Sequence, residues 1–237
     1  MVRRLLKCGH TEPPVHVEHS LSAQESVVAR PAADTSRRVD YVAKRVLDVS
    51  VALAVGLLLT PLLVVTVVAI KCSSPGPLFH RRRVVGRGGE AFDAFKFRSM
   101  RVDADRIIQD DAALWAAFQT NHKLPHDRRV TPIGRILRRY SIDELPQLLN
   151  VLRGEMSLIG PRMVTAPELE RYGPHVQTLL SVPPGMTGLW QVSGRQTTSY
   201  ERRVELDVHY VTHWSLWLDL RILLKTPLVV FRGEGAY

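Results

Sequence analysis

Residues 49–70 read VSVALAVGLLLTPLLVVTVVAI, a run of 22 residues without a formal charge. Such a run is long enough for a transmembrane helix, which needs about 20 residues to cross roughly 30 Å of hydrocarbon. Thr60-Pro61 stands at its centre. Because proline lacks an amide donor and clashes with the carbonyl four residues earlier, it kinks or breaks the helix. Each half then offers about ten residues, or roughly 15 Å of helix, which is too short to cross alone.

The two flanks of this apolar run carry equal positive charge. Five basic side chains lie in the twenty residues before Val49, and five lie in the twenty residues after Ile70. A spanning helix usually has an excess of basic residues on its cytoplasmic side. Equal flanks therefore favour a helix–break–helix hairpin that enters and leaves on the cytoplasmic face. A kinked spanning helix is the alternative, since proline is tolerated in transmembrane helices.

The chain has 237 residues and a formal net charge of +9, most of which lies in one block. Residues 71–139 carry 15 basic and 7 acidic side chains, whereas residues 140–237 carry 9 and 10. A basic block suits nucleic acid, an anionic membrane or phosphate-bearing substrates. Because it directly follows the apolar run, we expect lipid headgroups and phosphates as its partners, and no nucleic acid. Two cysteines exclude a disulfide framework and a four-cysteine zinc site.

Three regions follow from these patterns. Residues 1–40 are rich in Pro, Ser, Ala and His without a sustained period, which predicts a disordered polar tail. Residues 41–72 are predicted to form the re-entrant membrane segment, and residues 73–237 a folded domain on the cytoplasmic side. The fold class predicted for the whole is α/β and helix-rich, with a small β-hairpin and interfacial amphipathic helices.

The hairpin is predicted from two strand-like stretches around a glycine-rich turn. Leu78–Val85 and Ala91–Arg98 flank Gly86-Arg87-Gly88-Gly89. In the second run Phe95 and Phe97 alternate with Lys96 and Arg98, which predicts one apolar and one cationic face. Amphipathic and basic helices are then predicted over Ala104–Gln119 and Ile133–Arg139.

Two adjacent carboxylates, Asp143 and Glu144, open the apolar stretch 141–152, SIDELPQLLNVL. A structural interpretation is available, since Ser141 and Glu144 fit a capping box and Pro146 is tolerated in a first helical turn. A functional interpretation uses the same position. A carboxylate at a helix N-terminus stays ionised and can act as a nucleophile or a metal ligand, and phosphate is favoured there too.

Two later stretches stand out. Residues 182–195, VPPGMTGLWQVSGR, form a loop whose Gly and Pro residues fix the backbone, and such loops often carry function. Residues 214–224, WSLWLDLRILL, contain only Asp219 and Arg221 as charged residues. The leucines of this segment favour core packing, and its tryptophans favour a membrane interface.

In this order the motifs resemble those of the bacterial sugar transferase family, the monotopic polyprenyl-phosphate phosphoglycosyl transferases. The matching stretches are KRVLDV at 44–49, the central TP, SPGPLF at 74–79, KFRSM at 96–100, LRRYSIDELPQLLNVLRGEMSLIGPR at 137–162, PGMTGLWQVSGR at 184–195 and the closing WLDLRILLKT. The match covers residues 44–237. One departure is Met163, which stands where the family's Gly-Pro-Arg turn continues with proline.

The resemblance implies an activity and its site residues. Members transfer a sugar 1-phosphate from a nucleotide sugar, usually a UDP-sugar, to undecaprenyl phosphate, giving undecaprenyl-diphosphate-sugar and UMP. The family implies Asp143 as a covalent nucleophile, Glu144 as its partner in metal or proton handling, and Mg²⁺ held by both. It implies that the substrate phosphates are bound by four basic residues: Lys96, Arg98, Arg138 and Arg162.

Further implications are less direct. Asp207 and Arg195 are expected at the site, and Thr60-Pro61 is expected to be the membrane break, with Thr where Ser is commoner. The family implies the cytoplasmic leaflet of the bacterial inner membrane as the location, with a homo-oligomer as a possible assembly. The competing hypothesis is a non-catalytic, membrane-anchored scaffold of a polysaccharide assembly system.

Overall fold

The computed structural model describes residues 35–110, 115, 127–194 and 198–233. Within these ranges the helices are α1 (Thr35–Leu58), α2 (Thr60–Ser73), α3 (Ala104–Gln109), α4 (Pro132–Arg139), α5 (Leu148–Arg153), α6 (Ala166–Leu169), α7 (Val176–Leu180), α8 (Leu189–Val192), α9 (Tyr200–Thr212) and α10 (Leu216–Arg232). The strands are β1 (Phe79–Val85), β2 (Ala91–Phe97), β3 (Ser157–Ile159) and β4 (Gly185–Thr187). The protein is therefore a helix-rich α/β structure with two small sheets.

The apolar run forms a bent pair of helices. The pair is broken at Leu59 and bent by 62°. Pro61 has no amide to donate to the preceding turn, and the Thr60 hydroxyl donates instead to the Gly56 carbonyl over 2.9 Å. Within the described residues, no single helix combines the length and the apolarity to cross a bilayer, whereas this bent pair does so by length and composition. The break thus falls at the predicted Thr60-Pro61.

The first helix begins earlier than predicted. It starts at Thr35, so the predicted boundary between residues 40 and 41 lies inside α1. The predicted tail up to residue 34 lies outside the described residues. Within the predicted membrane segment, α1 packs on the protein core through Lys44, Asp48 and Ala52.

The predicted hairpin is present. β1 and β2 pair antiparallel in a register that places Phe79 opposite Phe97 and Val85 opposite Ala91. The predicted division of its faces is confirmed only in part. Phe97 is buried as expected, but Phe95 is half-buried, and Phe92 and Ala94 are buried on the other face. Lys96 is an even number of residues from Phe92 and Ala94, so it shares their inward face.

A second, parallel pairing brings distant loops together. β3 pairs with β4, placing Ser157 opposite Gly185 and Ile159 opposite Thr187. The backbones approach closely, because a Cβ on Gly185 would lie 2.1 Å from the Gly160 amide nitrogen. Glycine is therefore required at this crossing, which fixes the turn carrying Arg162.

The main core joins the hairpin, β3, α5 and the two last helices. Its buried residues include Val84, Phe92, Val151, Ile159 and Ile222. In the segment 214–224 the expected division by residue type is confirmed only in part. Leu218 packs against the core whereas Leu224 is 66% exposed, and Trp214 packs against the core whereas Trp217 is 59% exposed. Position around the helix decides exposure, since one stripe of an amphipathic helix faces the core.

Candidate active site

The Asp143-Glu144 pair lies in a short 3₁₀ helix, Ile142–Gln147, that precedes α5. The predicted capping box is absent: the Ser141 side chain makes no cap hydrogen bond and Ser141 has a left-handed backbone with φ of 54°. The predicted α-helical N-terminus is likewise displaced, since α5 begins only at Leu148. Left-handed backbone is strained for a residue with a Cβ, and such strain gathers at functional sites. Glu144 is therefore not held in a capping box with Ser141.

Glu144 is held by two cations. The Lys96 ammonium donates to its Oε1 over 2.6 Å, and the Arg162 guanidinium donates to the same oxygen over 3.2 Å. Burial alone would raise the pKa of Glu144, but these two charges outweigh it and hold that pKa well below its usual range. Glu144 therefore remains ionised at neutral pH and has no proton to give.

The pKa of Asp143 is shifted in the opposite direction. Its side chain is buried, and burial raises its pKa to about 6, with the adjacent Glu144 charge adding to the rise. Lys96 and Arg138 oppose the shift. A carboxylate with this pKa is mostly ionised at pH 7 but poorly solvated, which suits a nucleophile.

Arg138 and Arg162 approach the carboxylates from different elements. Arg138 lies in the last turn of α4, and its Nε donates to the Ser99 hydroxyl over 2.8 Å. Arg162 follows β3, and its amide donates to Asp207 Oδ1 over 3.2 Å. Strand β2, helix α4 and the turn after β3 thus bring three of the four predicted phosphate-binding residues to the carboxylate pair.

Arg98 does not join them. Its guanidinium donates to the Pro75 carbonyl over 3.0 Å and to the Ser74 carbonyl over 2.6 Å. These contacts tie the end of β2 to the turn that follows α2. Arg98 is therefore engaged with backbone in this structure, and the prediction that it binds phosphate has no support from its contacts.

Asp207 lies behind Arg162. It is fully buried in α9, and its second oxygen accepts a hydrogen bond of 2.8 Å from the Tyr172 hydroxyl. Burial raises its pKa to about 6, against the opposing effects of Tyr172 and Arg203. Its contacts with Arg162 make it a positioning residue. Arg195, which was also expected at the site, lies outside the described residues.

The profile of the bacterial sugar transferases matches residues 39–233, which is most of the chain. The chain belongs to this family. An exopolysaccharide production protein, ExoY, of Sinorhizobium fredii is 42% identical over 205 residues, which are 85% of this chain and 91% of the relative. A Caulobacter vibrioides protein named UDP-glucose:undecaprenyl-phosphate glucose-1-phosphate transferase is 40% identical, over 88% of this chain and 77% of the relative.

A longer relative matches the same region. The undecaprenyl-phosphate galactose phosphotransferase of Salmonella typhimurium is 39% identical over 219 residues, which are 91% of this chain. The matched part is only 46% of that relative's length. The chain thus spans less than half of this longer bacterial sugar transferase and nearly all of ExoY.

Several residues of this sugar transferase join the site without having been predicted. Arg82 of β1 and Arg203 of α9 both approach Glu168, at 3.3 Å and 3.8 Å. Gln147 and Gln191 are buried with both amide atoms unpaired among the described residues. The spacing of Arg203 and Asp207, four apart in α9, is the sequence signal that could have found this cluster.

Asp143 and Glu144 are suited to bind Mg²⁺ only together with oxygen atoms of a bound substrate. Among the described residues no group of three or more His, Cys, Asp or Glu side chains is placed to hold a metal. One oxygen of Glu144 is already shared by Lys96 and Arg162. Mg²⁺ is usually held by one or two carboxylates together with substrate phosphates and water. Asp143 and Glu144 fit that arrangement, and they do not form a cage for the free ion.

Proposed function

We propose that this bacterial sugar transferase moves a sugar 1-phosphate from a UDP-sugar to undecaprenyl phosphate, yielding undecaprenyl-diphosphate-sugar and UMP. The names of the Caulobacter and Salmonella relatives support this reaction class. The name of the Sinorhizobium relative says that it takes part in exopolysaccharide production. For this chain we propose the initiating step of such assembly, in exopolysaccharide, capsule or O-antigen synthesis. The observation that carries the proposal is the pairing of a buried Asp143 with a Glu144 fixed by Lys96 and Arg162.

The pairing suits covalent catalysis. In the first step the ionised Asp143 attacks the phosphorus that bears the sugar, the bond to UMP breaks, and UMP leaves with the bonding electrons. In the second step an oxygen of undecaprenyl phosphate attacks the same phosphorus, and the Asp143 carboxylate leaves. Covalent catalysis divides a difficult transfer into two easier displacements. Both nucleophiles are anions, so neither step needs a general base.

Glu144 therefore acts through charge rather than through a proton. Its low pKa leaves it ionised, and its contacts fix the Lys96 ammonium and the Arg162 guanidinium at the reacting centre. Phosphoryl transfer depends mainly on positioning and on cations that stabilise developing charge. Lys96, Arg138 and Arg162 supply those cations. We thus assign Glu144 to positioning and metal binding and not to proton handling.

Mg²⁺, held by Asp143, Glu144 and the diphosphate, would neutralise charge on the transferring group and on departing UMP. The remaining positive charge at the site comes from the chain itself. Four cationic side chains, Arg82, Lys96, Arg138 and Arg162, carry electrostatic links to the two carboxylates. This excess suits a donor whose diphosphate adds two negative charges.

A lipid acceptor requires a site at the membrane surface, and the apolar surfaces support this placement. The bent α1–α2 pair exposes Leu57 and Leu58 at its break, 78% and 77% exposed. In α10 the exposed residues Trp217, Leu224 and Phe231 recur every seven residues and share one side of the helix. We propose that both surfaces sit in the cytoplasmic leaflet of the inner membrane, with α1–α2 as a re-entrant hairpin.

The experiment incubates the full-length protein in nanodiscs with Mg²⁺ and single UDP-sugars, without acceptor. A covalent mechanism predicts a burst of UMP about equal to the enzyme present and an added sugar phosphate on the Asp143 peptide by mass spectrometry. Asp143→Asn should abolish both, whereas Asp103→Asn, at an exposed aspartate paired with Arg101, should keep both. Full activity in Asp143→Asn would contradict the covalent role of Asp143. No UMP from any UDP-sugar, even with undecaprenyl phosphate, would favour the scaffold hypothesis.

A further inference from the structure

Arg203 is a buried arginine whose ring contacts fix the plane of its guanidinium. The residue is 9% exposed. Its guanidinium carbon lies 5.2 Å from the centre of the Trp190 ring and 4.9 Å from the centre of the Tyr200 ring. Cation–π contacts of this kind cover the faces of a guanidinium and leave its N–H groups pointing outward in its own plane.

Those in-plane donors are incompletely used. Nε and one terminal nitrogen, Nη2, are buried and have no hydrogen-bond partner among the residues that the structure describes. The carboxylates beside Arg203 are too distant for hydrogen bonds, since Asp207 Oδ2 lies 3.7 Å from Nε and Glu168 Oε1 lies 3.8 Å from Nη1. A buried donor without an acceptor costs free energy and calls for an explanation. Nε and Nη2 form one edge of the guanidinium, the two-donor fork that matches two oxygens of a phosphate.

This buried, unpaired edge is linked to the reacting centre through two shared neighbours. The Arg162 guanidinium, which binds Glu144, also lies over the Trp190 ring, 5.9 Å from its centre. Asp207 accepts from the Arg162 amide and faces Arg203. Arg162 and Arg203 therefore flank a common tryptophan and a common aspartate. Arg162 serves the carboxylate pair, whereas Arg203 faces Asp207 and Glu168.

We propose that Arg203 binds the phosphate of the departing nucleotide, the phosphate of the donor that is not transferred. The inference rests on the proposed function and names the part of the donor that Arg203 recognises. The transferred phosphorus must lie against Asp143, where Lys96 and Arg138 supply the opposite charges. The second phosphate of a diphosphate lies next to the first and needs its own cation. The unpaired edge of Arg203 provides two donors for it.

The test measures UMP and uridine binding by isothermal titration calorimetry on the full-length protein in nanodiscs. Arg203→Gln should weaken UMP binding by about tenfold or more, since hydrogen bonds between charged groups are worth that much. It should leave the affinity for uridine, which has no phosphate, close to that of the wild type. Arg203→Lys keeps the charge without the fork and should fall between the two.

A matched control is the neighbouring Arg202, whose side chain is 59% exposed and paired with Glu205. Arg202→Gln should bind UMP as the wild type does. In steady-state assays Arg203→Gln should raise KM for the UDP-sugar by about tenfold and leave KM for undecaprenyl phosphate unchanged. The binding of UMP and of uridine is compared within each variant. A general loss of fold would weaken the binding of both ligands, and that result would contradict the proposal.

Other outcomes decide between this inference and the proposed reaction. UMP binding in Arg203→Gln equal to that of the wild type overturns the inference, as does the absence of any preference for UMP over uridine in the wild type. Phosphate-dependent UMP binding through Arg203 in a protein that releases no UMP from any UDP-sugar upholds the inference and removes the proposed reaction.

Discussion

Lys44 and Asp219 are 175 residues apart in the chain, and the Lys44 ammonium donates to Asp219 Oδ2 over 2.7 Å in the interior. The remaining lone pairs of the carboxylate are also used. The Tyr210 hydroxyl donates to Oδ1 over 2.7 Å, and the Trp214 indole donates to Oδ2 over 3.1 Å. Lys44 also reaches the Ile159 carbonyl, directly before the turn that carries Arg162. The helix that leads into the apolar run is thereby fixed to the catalytic core.

Breaking this pair should destabilise the fold. Removing one partner of a buried ion pair leaves an uncompensated charge and costs about 3–5 kcal/mol. We expect Lys44→Met to lower the free energy of unfolding by that order, measured by denaturant unfolding in detergent. Glu205→Ala, which breaks an exposed pair with Arg202, should change it by about 1 kcal/mol or less. Equal effects of the two variants would show that the buried pair does not fix α1.

The first chemical step should depend on the ionisation of Asp143. Its pKa is raised to about 6, and only the ionised form is a nucleophile. The single-turnover rate of UMP release should therefore fall as the pH decreases through about 6 and reach a plateau above that value. If the rate already decreased tenfold for each unit by which the pH is lowered above pH 7, this assignment would be contradicted.

Asp207 could produce the same acidic limb, because its pKa is also raised to about 6. Protonation of Asp207 would loosen its hold on the Arg162 amide. Asp207→Asn separates the two residues, since it removes that titration and leaves Asp143 in place. We expect a lower rate in this variant with the acidic limb near pH 6 retained. A rate in Asp207→Asn that does not change with pH would show that the acidic limb comes from Asp207 and not from Asp143.

Lys96 should matter for rate more than for folding. Its ammonium sits 2.6 Å from Glu144 Oε1 and also lowers the pKa of Asp143. Lys96→Met should reduce kcat by roughly 10²-fold or more, because a cation fixed at the reacting phosphate stabilises charge that develops in the transition state. It should also move the acidic limb to higher pH. Arg106→Met, at an exposed arginine of α3, should leave both unchanged.

The bent helix pair predicts that both of its ends face the cytoplasm. Cys72 is exposed at the end of α2 and can serve as one reporter, with Asp40→Cys as the other, in a chain carrying Cys8→Ser. In whole cells a membrane-impermeant maleimide should label neither position until the inner membrane is opened. Labelling of one position in intact cells, after permeabilising the outer membrane only, would establish a spanning helix in place of the re-entrant hairpin.

Local chemistry made much of the fold predictable from sequence. Thr60-Pro61 marks the helix break, since proline acts on its own turn, and Gly86–Gly89 marks the hairpin turn. The sequence alone did not decide which face of β2 is buried. Lys96 was predicted on the cationic face of the strand. In the structure it points inward, because the segment 142–147 packs on that side of the strand.

The site shows the same division. The sequence by itself identified the carboxylate pair and its basic neighbours as candidate site residues. It could do so because the motifs that resemble the family are stretches of consecutive residues. Only the tertiary structure decided which cations serve them. It joined Lys96 and Arg162 to Glu144, turned Arg98 toward backbone carbonyls, and buried Arg203 and Asp219 as unexpected parts of the interior. The physical reason is that burial, which sets both charge pairing and pKa, is a property of contacts between distant segments.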